Sequence, residues 1–487
     1  MTREDKWRLA QWAVISAQAS TATLFSLKLL AQWGTDFGVY FVGGMSISDE
    51  YGLYTGFFDH KGPLYYAFIR LLSAAVPYSL IGAAVVLGIT CAIWFASIDI
   101  GLRMLHLSKP VKAIVGFGAI AAFANQASNA SIALFGASFV FATLVSMLKF
   151  AETGKRVWCS TSFALLGLAV LTRIDALVML PLIFVIGIGP IRPTRARTLS
   201  VTTSLAGATI FIFTLLLICS RLLGFGLEQY WEQGVLFNLT VYPEWYGTGS
   251  PAAHILSAGY LGQSLMTTGL LSVWILMMVF GWSQLPIHRR RTALMLVLYA
   301  SAVFVGTGSG KEYHLFIVYP GLLLSLAIVI PTMTKAWNRG IVSACLVVLA
   351  LSSCLVVGKL FWDSRCVLKG IDNCPNQYLS LVAEVQRTGI ENNEFFANQG
   401  WPFLMMDRKA TVSFTPLFPL AVDLGESTRK VLIDSSKARN KVIWIHEGDL
   451  AIARGFPGNR VKEFLQGRQP IGEPISGFTR MSPVAGN

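Results

Sequence analysis

Residues 200–223 read SVTTSLAGATIFIFTLLLICSRLL, and Arg192, Arg195 and Arg197 stand just before them. The stretch carries no charge until Arg221. It is long enough, as a helix, to cross a hydrocarbon core of about 30 Å. Inside lipid a backbone must satisfy its own hydrogen bonds, so a segment of this kind has to be helical. The basic cluster in front of it is what the positive-inside rule assigns to the cytoplasmic side.

The same unit recurs along the chain. Apolar segments fall at roughly 9–32, 78–104, 111–127, 131–150, 158–172, 175–190, 200–223, 262–283, 292–308, 315–333 and 341–361. The clusters Arg3/Lys6/Arg8, Arg103/Lys109/Lys112, Lys149/Lys155/Arg156, Arg192/Arg195/Arg197, Arg289/Arg290/Arg291 and Lys335/Arg339 then land on one face. The expectation is an all-α bundle of about 11 transmembrane helices with its N-terminus in the cytoplasm. Residues 62–77, apolar but interrupted by Arg70 and Pro77, are left to cross or to lie along the interface.

Composition agrees. The chain of 487 residues is 54% hydrophobic and 13% charged, with a mean hydropathy of +0.57. A soluble domain would carry about 25% charge. The net charge of +13 sits in short clusters between apolar runs, which argues against a nucleic-acid partner and for membrane lipids. The alternating pattern of a transmembrane barrel is absent. Met1–Arg8 is short and basic, and the run behind it suits a first anchor better than a cleaved signal. Residues 1–361 are therefore expected to form the membrane domain of a plasma (inner) membrane protein.

Three segments are expected outside: 33–77, 224–261, and everything after about 361. The last holds charges of both signs, turn residues (Pro375, Asn376, Gly400, Pro457, Gly458) and a strand-like run from Lys441 to His446. It reads as a small α/β domain, 362–487. Of the seven cysteines, Cys91, Cys159, Cys219, Cys345 and Cys354 sit in or beside spans as small packing residues. Cys366 and Cys374 lie just past the last span, where a bridge can persist.

Chemistry concentrates in the first outer segment. It contains Asp36-Phe-Gly-Val-Tyr40, then Asp49-Glu50, then Asp59-His-Lys-Gly-Pro-Leu64, in a chain otherwise poor in charge. A wet loop could hold such residues, yet these are interleaved with aromatics and glycines. Asp36 and Lys61 also fall close to span ends, where ionisable groups are costly unless used.

The Asp-His-Lys-Gly-Pro-Leu string, some twenty residues after an Asp-x-x-x-Tyr at the end of the first span, resembles the GT-C superfamily of membrane glycosyltransferases. That group includes protein O-mannosyltransferases, lipid A aminoarabinose transferases and mycobacterial polyprenol-dependent mannosyl- and arabinosyltransferases. The resemblance extends to the layout of many spans, a long first outer loop and a soluble C-terminal domain. It implies a polyprenyl-phosphate sugar donor, a glycan, lipid or protein acceptor, and an acidic catalytic base in the first outer loop. Asp36 occupies that place, although the Asp-Glu pair common in the family occurs later, as Asp49-Glu50, which keeps Asp49 as the alternative base. A carboxylate can take the acceptor proton, and Lys61 can meet the charge building on the departing phosphate. Tyr40, Glu50, Asp59 and His60 are expected to complete the pocket; whether Asp59 and His60 hold a divalent cation stays open.

Further candidates lie downstream. Arg173 and Asp175 interrupt an apolar stretch at an outer turn, and either close that turn as a pair or offer Arg173 to the donor phosphate. Lys311-Glu-Tyr-His314 precedes the tenth span, and similar family members carry a basic or His-Tyr motif there. The segment from Glu228-Gln-Tyr-Trp-Glu232 to Tyr242-Pro-Glu-Trp-Tyr246 offers Trp231, Glu232, Tyr242 and Trp245 either to an interfacial aromatic belt or to a sugar. No Walker loop, GxGxxG after a strand or GxSxG elbow occurs, which weighs against ATP-driven transport, a nucleotide-sugar fold and serine hydrolysis. The rival readings are a transporter or flippase of a lipid-linked sugar and a polyprenyl-diphosphate glycan polymerase or ligase.

Overall fold

The computed structural model describes the chain outside residues 1–2, 32–35, 48–51, 55–60, 124–130, 189–194, 240–268, 307–314, 334–335, 370–378, 390–392, 397–441, 448–464, 466 and 484–487. Each of the eleven apolar segments is helical over most of its described residues. Among the described residues, five helices are long and apolar enough to cross a membrane by length and composition: Asp5–Leu30, Leu80–Met104, Ser131–Thr153, Arg195–Leu223 and Arg339–Leu368. At about 1.5 Å per residue, a helix of twenty or more residues covers the hydrocarbon thickness.

The chain folds as two compact units. The first comprises Met1–Lys28, Leu87–Leu215 and Gly247–Arg365. Its helices are most of α1 (Arg3–Ala31) and α4 (Leu80–Met104), then α5 (Lys109–Ala121), α6 (Ser131–Thr153), α7 (Arg156–Thr172), α8 (Met179–Ile188), most of α9 (Arg195–Leu223), α11 (Leu270–Gly281), α12 (Ile287–Gly306), α13 (Leu315–Val329) and most of α14 (Ala336–Leu368). α13 is apolar on every side and buried along nearly its whole length, as a helix at the centre of a bundle must be. It packs against α5, α6 and α12. Pro320 interrupts its hydrogen-bond ladder, and in the same stretch the Tyr299 hydroxyl donates to the Ile317 carbonyl at 2.8 Å. An aromatic chain, Phe25 to Phe123 (5.1 Å), Phe123 to Phe316 (5.3 Å) and Phe316 to Trp94 (6.1 Å), ties α1, α4 and α13 together.

Burial separates inner from outer helices. α6 buries 83% of its most apolar window, α9 only 17% and α14 22%. The exposed residues of α9 include Ile210, Phe213 and Ile218, an apolar face that water would not tolerate and lipid would. Within the first unit α1 and α14 are joined by an ion pair, Lys28 Nζ to Asp363 Oδ2 at 3.1 Å, with Lys28 buried.

The second unit comprises Leu29–Val86, Leu216–Tyr246 and Cys366–Asn487. These are close to the three segments that sequence places outside the bundle. Residues 33–77 are not only loop: α2 (Asp36–Ser46) and α3 (Pro63–Leu72) form within them. α3 has ten residues, about half of what crossing requires, and its buried residues Tyr65, Tyr66 and Ile69 face α2 or the surrounding core. A further helix, α10, begins as an α-turn at Leu227–Gln229, widens to π geometry over Tyr230–Leu236 and returns to α at Phe237–Leu239.

Beyond α14 stand α15 (Leu379–Thr388) and a three-stranded sheet of β1 (Asn393–Phe396), β2 (Val442–His446) and β3 (Phe478–Met481). β1 pairs parallel with β2, and β2 antiparallel with β3. β2 is the strand-like run of the sequence, and its Ile443, Trp444 and Ile445 are fully buried. Glu384 of α15 accepts from Arg387 on its own helix and from Arg480 of β3 at 2.6 Å, which fastens the helix to the sheet. Cys366 is disulfide-bonded, whereas Cys91, Cys159, Cys219, Cys345 and Cys354 are free thiols. Cys374, the expected partner, lies outside the described residues.

Candidate functional site

The geometry of α2 and α3 follows from small and aromatic side chains. Tyr40 of α2 meets Tyr65 and Tyr66 of α3, each with ring centroids 6.1 Å away and edge-on. One turn later Gly44 lies so close to α3 that a Cβ there would sit 2.7 Å from Ile69 Cγ2 and 3.3 Å from the Tyr66 carbonyl oxygen. One turn of each helix thus carries the seam, Tyr40 to Gly44 on α2 and Tyr65 to Ile69 on α3. Asp36 is the first residue of α2; its side chain is not among the described atoms. Lys61, half-buried, immediately precedes Gly62 and Pro63, which cap and open α3. Gly62 brings no side chain to the first turn of α3, and Pro63 suits it because its fixed φ is already helical.

Each of the two packed helices presents the positive pole of its dipole at its N-terminus, α2 at Asp36 and α3 just after Lys61. Tyr40 is buried between α2 and α3, so its ring builds this pair rather than lining an open surface. Asp49, Glu50, Asp59 and His60 lie outside the described residues, as do Lys311, His314, Tyr242 and Trp245. Among the described residues no group of three or more His, Cys, Asp or Glu gathers in a way that could hold a metal ion.

Lys61 is held by residues that sequence reading passes over. The Tyr54 hydroxyl donates to the Lys61 carbonyl oxygen at 2.5 Å. Tyr54 has φ +65°, a left-handed conformation that a large side chain adopts only when its surroundings impose it. Here they do. The Leu53 amide donates to the Leu223 carbonyl at the end of α9 (2.8 Å). Gln233, fully buried, donates from Nε2 to the Tyr54 carbonyl at 2.7 Å. The Tyr54 ring packs on Phe225 (5.1 Å) and Tyr230 (5.8 Å). The wide π turn of α10 places Tyr230, Gln233 and Gly234 against Tyr54, and Gly234 leaves room where a Cβ would meet the Tyr230 ring at 2.8 Å. Burial pushes the Tyr230 phenol up to about 12, so it stays neutral. On the same helix Trp231 is exposed and Glu232 half-exposed.

In the first unit, Arg173 sits at the bend between α7 and a short 3₁₀ turn, Ile174–Val178. It is 7% exposed and donates to Asp175 through Nε (3.1 Å to Oδ1) and Nη2 (2.5 Å to Oδ2). Its aliphatic stem lies over Gly136 of α6. The turn-closing pair is present, with Arg173 buried and Asp175 one-third exposed.

Compared with known proteins, the chain matches no family model and no curated protein.

Proposed function

We propose that the protein is an inverting glycosyltransferase of the GT-C type, moving a monosaccharide from a polyprenyl-phosphate donor to a glycan, lipid or protein acceptor on the outer side of the membrane. The observation that supports the reading is the close packing of α2, which Asp36 opens, on α3, which Lys61 directly precedes. The sugar–phosphate bond is already activated. Asp36 takes the proton of the acceptor hydroxyl as it attacks the anomeric carbon, and the electron pair of the breaking bond leaves on the phosphate. Lys61 and the helix N-termini counter that charge. Eleven spans with the N-terminus inside and α15 with its sheet outside are part of the same proposal, supported by the one-sided distribution of Arg and Lys clusters.

Transfer from a panel of radiolabelled polyprenyl-phosphate sugars by the full chain in lipid nanodiscs tests it. Asp36→Asn is expected to lower transfer by about 10²- to 10⁴-fold. Survival of transfer in Asp36→Asn with loss in Asp49→Asn moves the base and keeps the class. No transfer from any donor by the wild type sinks the class and leaves the flippase reading to be tested by lipid scrambling. Reporter fusions after Lys155 and after Leu368 are expected to report opposite sides of the membrane.

A further inference from the structure

We infer that Tyr54 is the positioning residue of the site: with Gln233 it forms a clasp that fixes the backbone at Lys61 and so sets where the ammonium meets a phosphate. The inference rests on the transferase reading only for the identity of that phosphate. Its grounds are geometric. A tyrosine in a left-handed conformation is rare, and such residues persist where the surroundings over-determine them. Tyr54 is held at its carbonyl by Gln233 and through its neighbour Leu53 by the end of α9, and its ring is enclosed by Phe225 and Tyr230. With three sides of the residue fixed, its hydroxyl is aimed at the Lys61 carbonyl, to which it donates. π geometry in α10 has a local use here, since it turns Gln233 into the clasp; such segments are costly and concentrate at functional sites.

The bond reaches the lysine's backbone rather than its ammonium. Loss of it shifts the side chain's origin without touching the charge, and small misplacements of a catalytic group are expensive. Tyr54→Phe removes only the hydroxyl and keeps the ring packing.

The test uses the full chain in phosphatidylcholine nanodiscs, with a sugar-free polyprenyl phosphate as probe and acylation of the Lys61 amine by acetic anhydride as readout. In the wild type the probe is expected to slow labelling of Lys61. In Tyr54→Phe that shielding is expected to need at least about tenfold more probe, and donor turnover to fall by a similar factor. Lys61→Met is expected to make the Tyr54→Phe change silent, because residues acting through one group do not add. Gln233→Met serves if Tyr54→Phe fails to fold, with the same expected direction. Equal shielding in the variant and the wild type overturns the clasp and leaves the transferase reading standing. Additive losses in the double variant do the same, since they mark a general structural role. Wild-type protein that transfers sugar yet shows no shielding removes Lys61 from the phosphate and the clasp with it. Absence of both transfer and shielding overturns the reading and the inference together.

Discussion

Arg173 and Tyr54 are both buried polar residues in connections between helices, and they are held in opposite ways. Arg173 directs Nε and Nη2 of its guanidinium to a neighbour two residues along, an exchange of charge inside one turn. Tyr54 receives its restraint from distant residues, Leu223 and Gln233, and passes it to Lys61. The first arrangement stabilises a bend. The second transmits position. A buried charge pair can be exchanged for apolar packing at little cost, whereas the acceptors in the Tyr54 relay are backbone carbonyls that no substitution removes.

The largest effect follows from breaking the pair on one side. Arg173→Ala is expected to cost about 3 kcal/mol, the low end for an uncompensated buried partner because Asp175 is partly wet. A lowered melting midpoint in nanodiscs measures it. Arg173→Met combined with Asp175→Leu is expected to recover most of that loss. If the recovered protein also keeps full transfer, Arg173 is a bend-closing residue alone. If transfer stays lost while stability returns, Arg173 meets the donor phosphate and the contrast with Tyr54 narrows.

A smaller effect comes from the α2–α3 seam. Gly44→Val forces the helices apart against Ile69 and is expected to cost about 1–3 kcal/mol. Ile69→Ala in the same chain is expected to return part of it. Because the seam joins the helix that Asp36 opens to the helix that follows Lys61, turnover per folded molecule falls in the Gly44 variant if the proposed site is right and stays level if it is not.

The smallest effect lies at the α15 joint. Hydrogen bonding from Arg387, aided by the charges of Arg387 and Arg480, holds the Glu384 carboxyl below its usual range against the desolvation that raises it. Its contribution is complete above the ordinary carboxylate pKa and is lost as pH falls through the lowered folded value. Glu384→Gln is expected to flatten that acid limb by no more than about 1 kcal/mol, read from melting midpoints between neutral and acid pH.

The helices of the bundle are legible in the sequence because long runs without charge fold as helices, as Ser200–Leu223 does. β2 is legible from its β-branched and aromatic run, Val442 to Ile445. α2 is less so, since Asp36–Ser46 is short, glycine-rich and aromatic, and its helix is stabilised by α3 rather than by propensity. Tyr54 could not be read. Left-handed backbone is signalled by glycine or asparagine, and here a tyrosine is forced into it by contacts from 170 to 180 positions away. Gln233 hides in a segment whose aromatics invite a belt reading. Lys28 did leave a signal, a lysine inside an apolar run, but nothing local says that Asp363 answers it.

That pairing bears on how the protein is made. α1 enters the bilayer early in synthesis carrying a lysine whose counter-charge belongs to α14, far later in the chain. Until Asp363 arrives, Lys28 must stay near water or be sheltered by the insertion machinery. α14 thus supplies, hundreds of residues further along the chain, the charge that lets Lys28 of α1 lie buried.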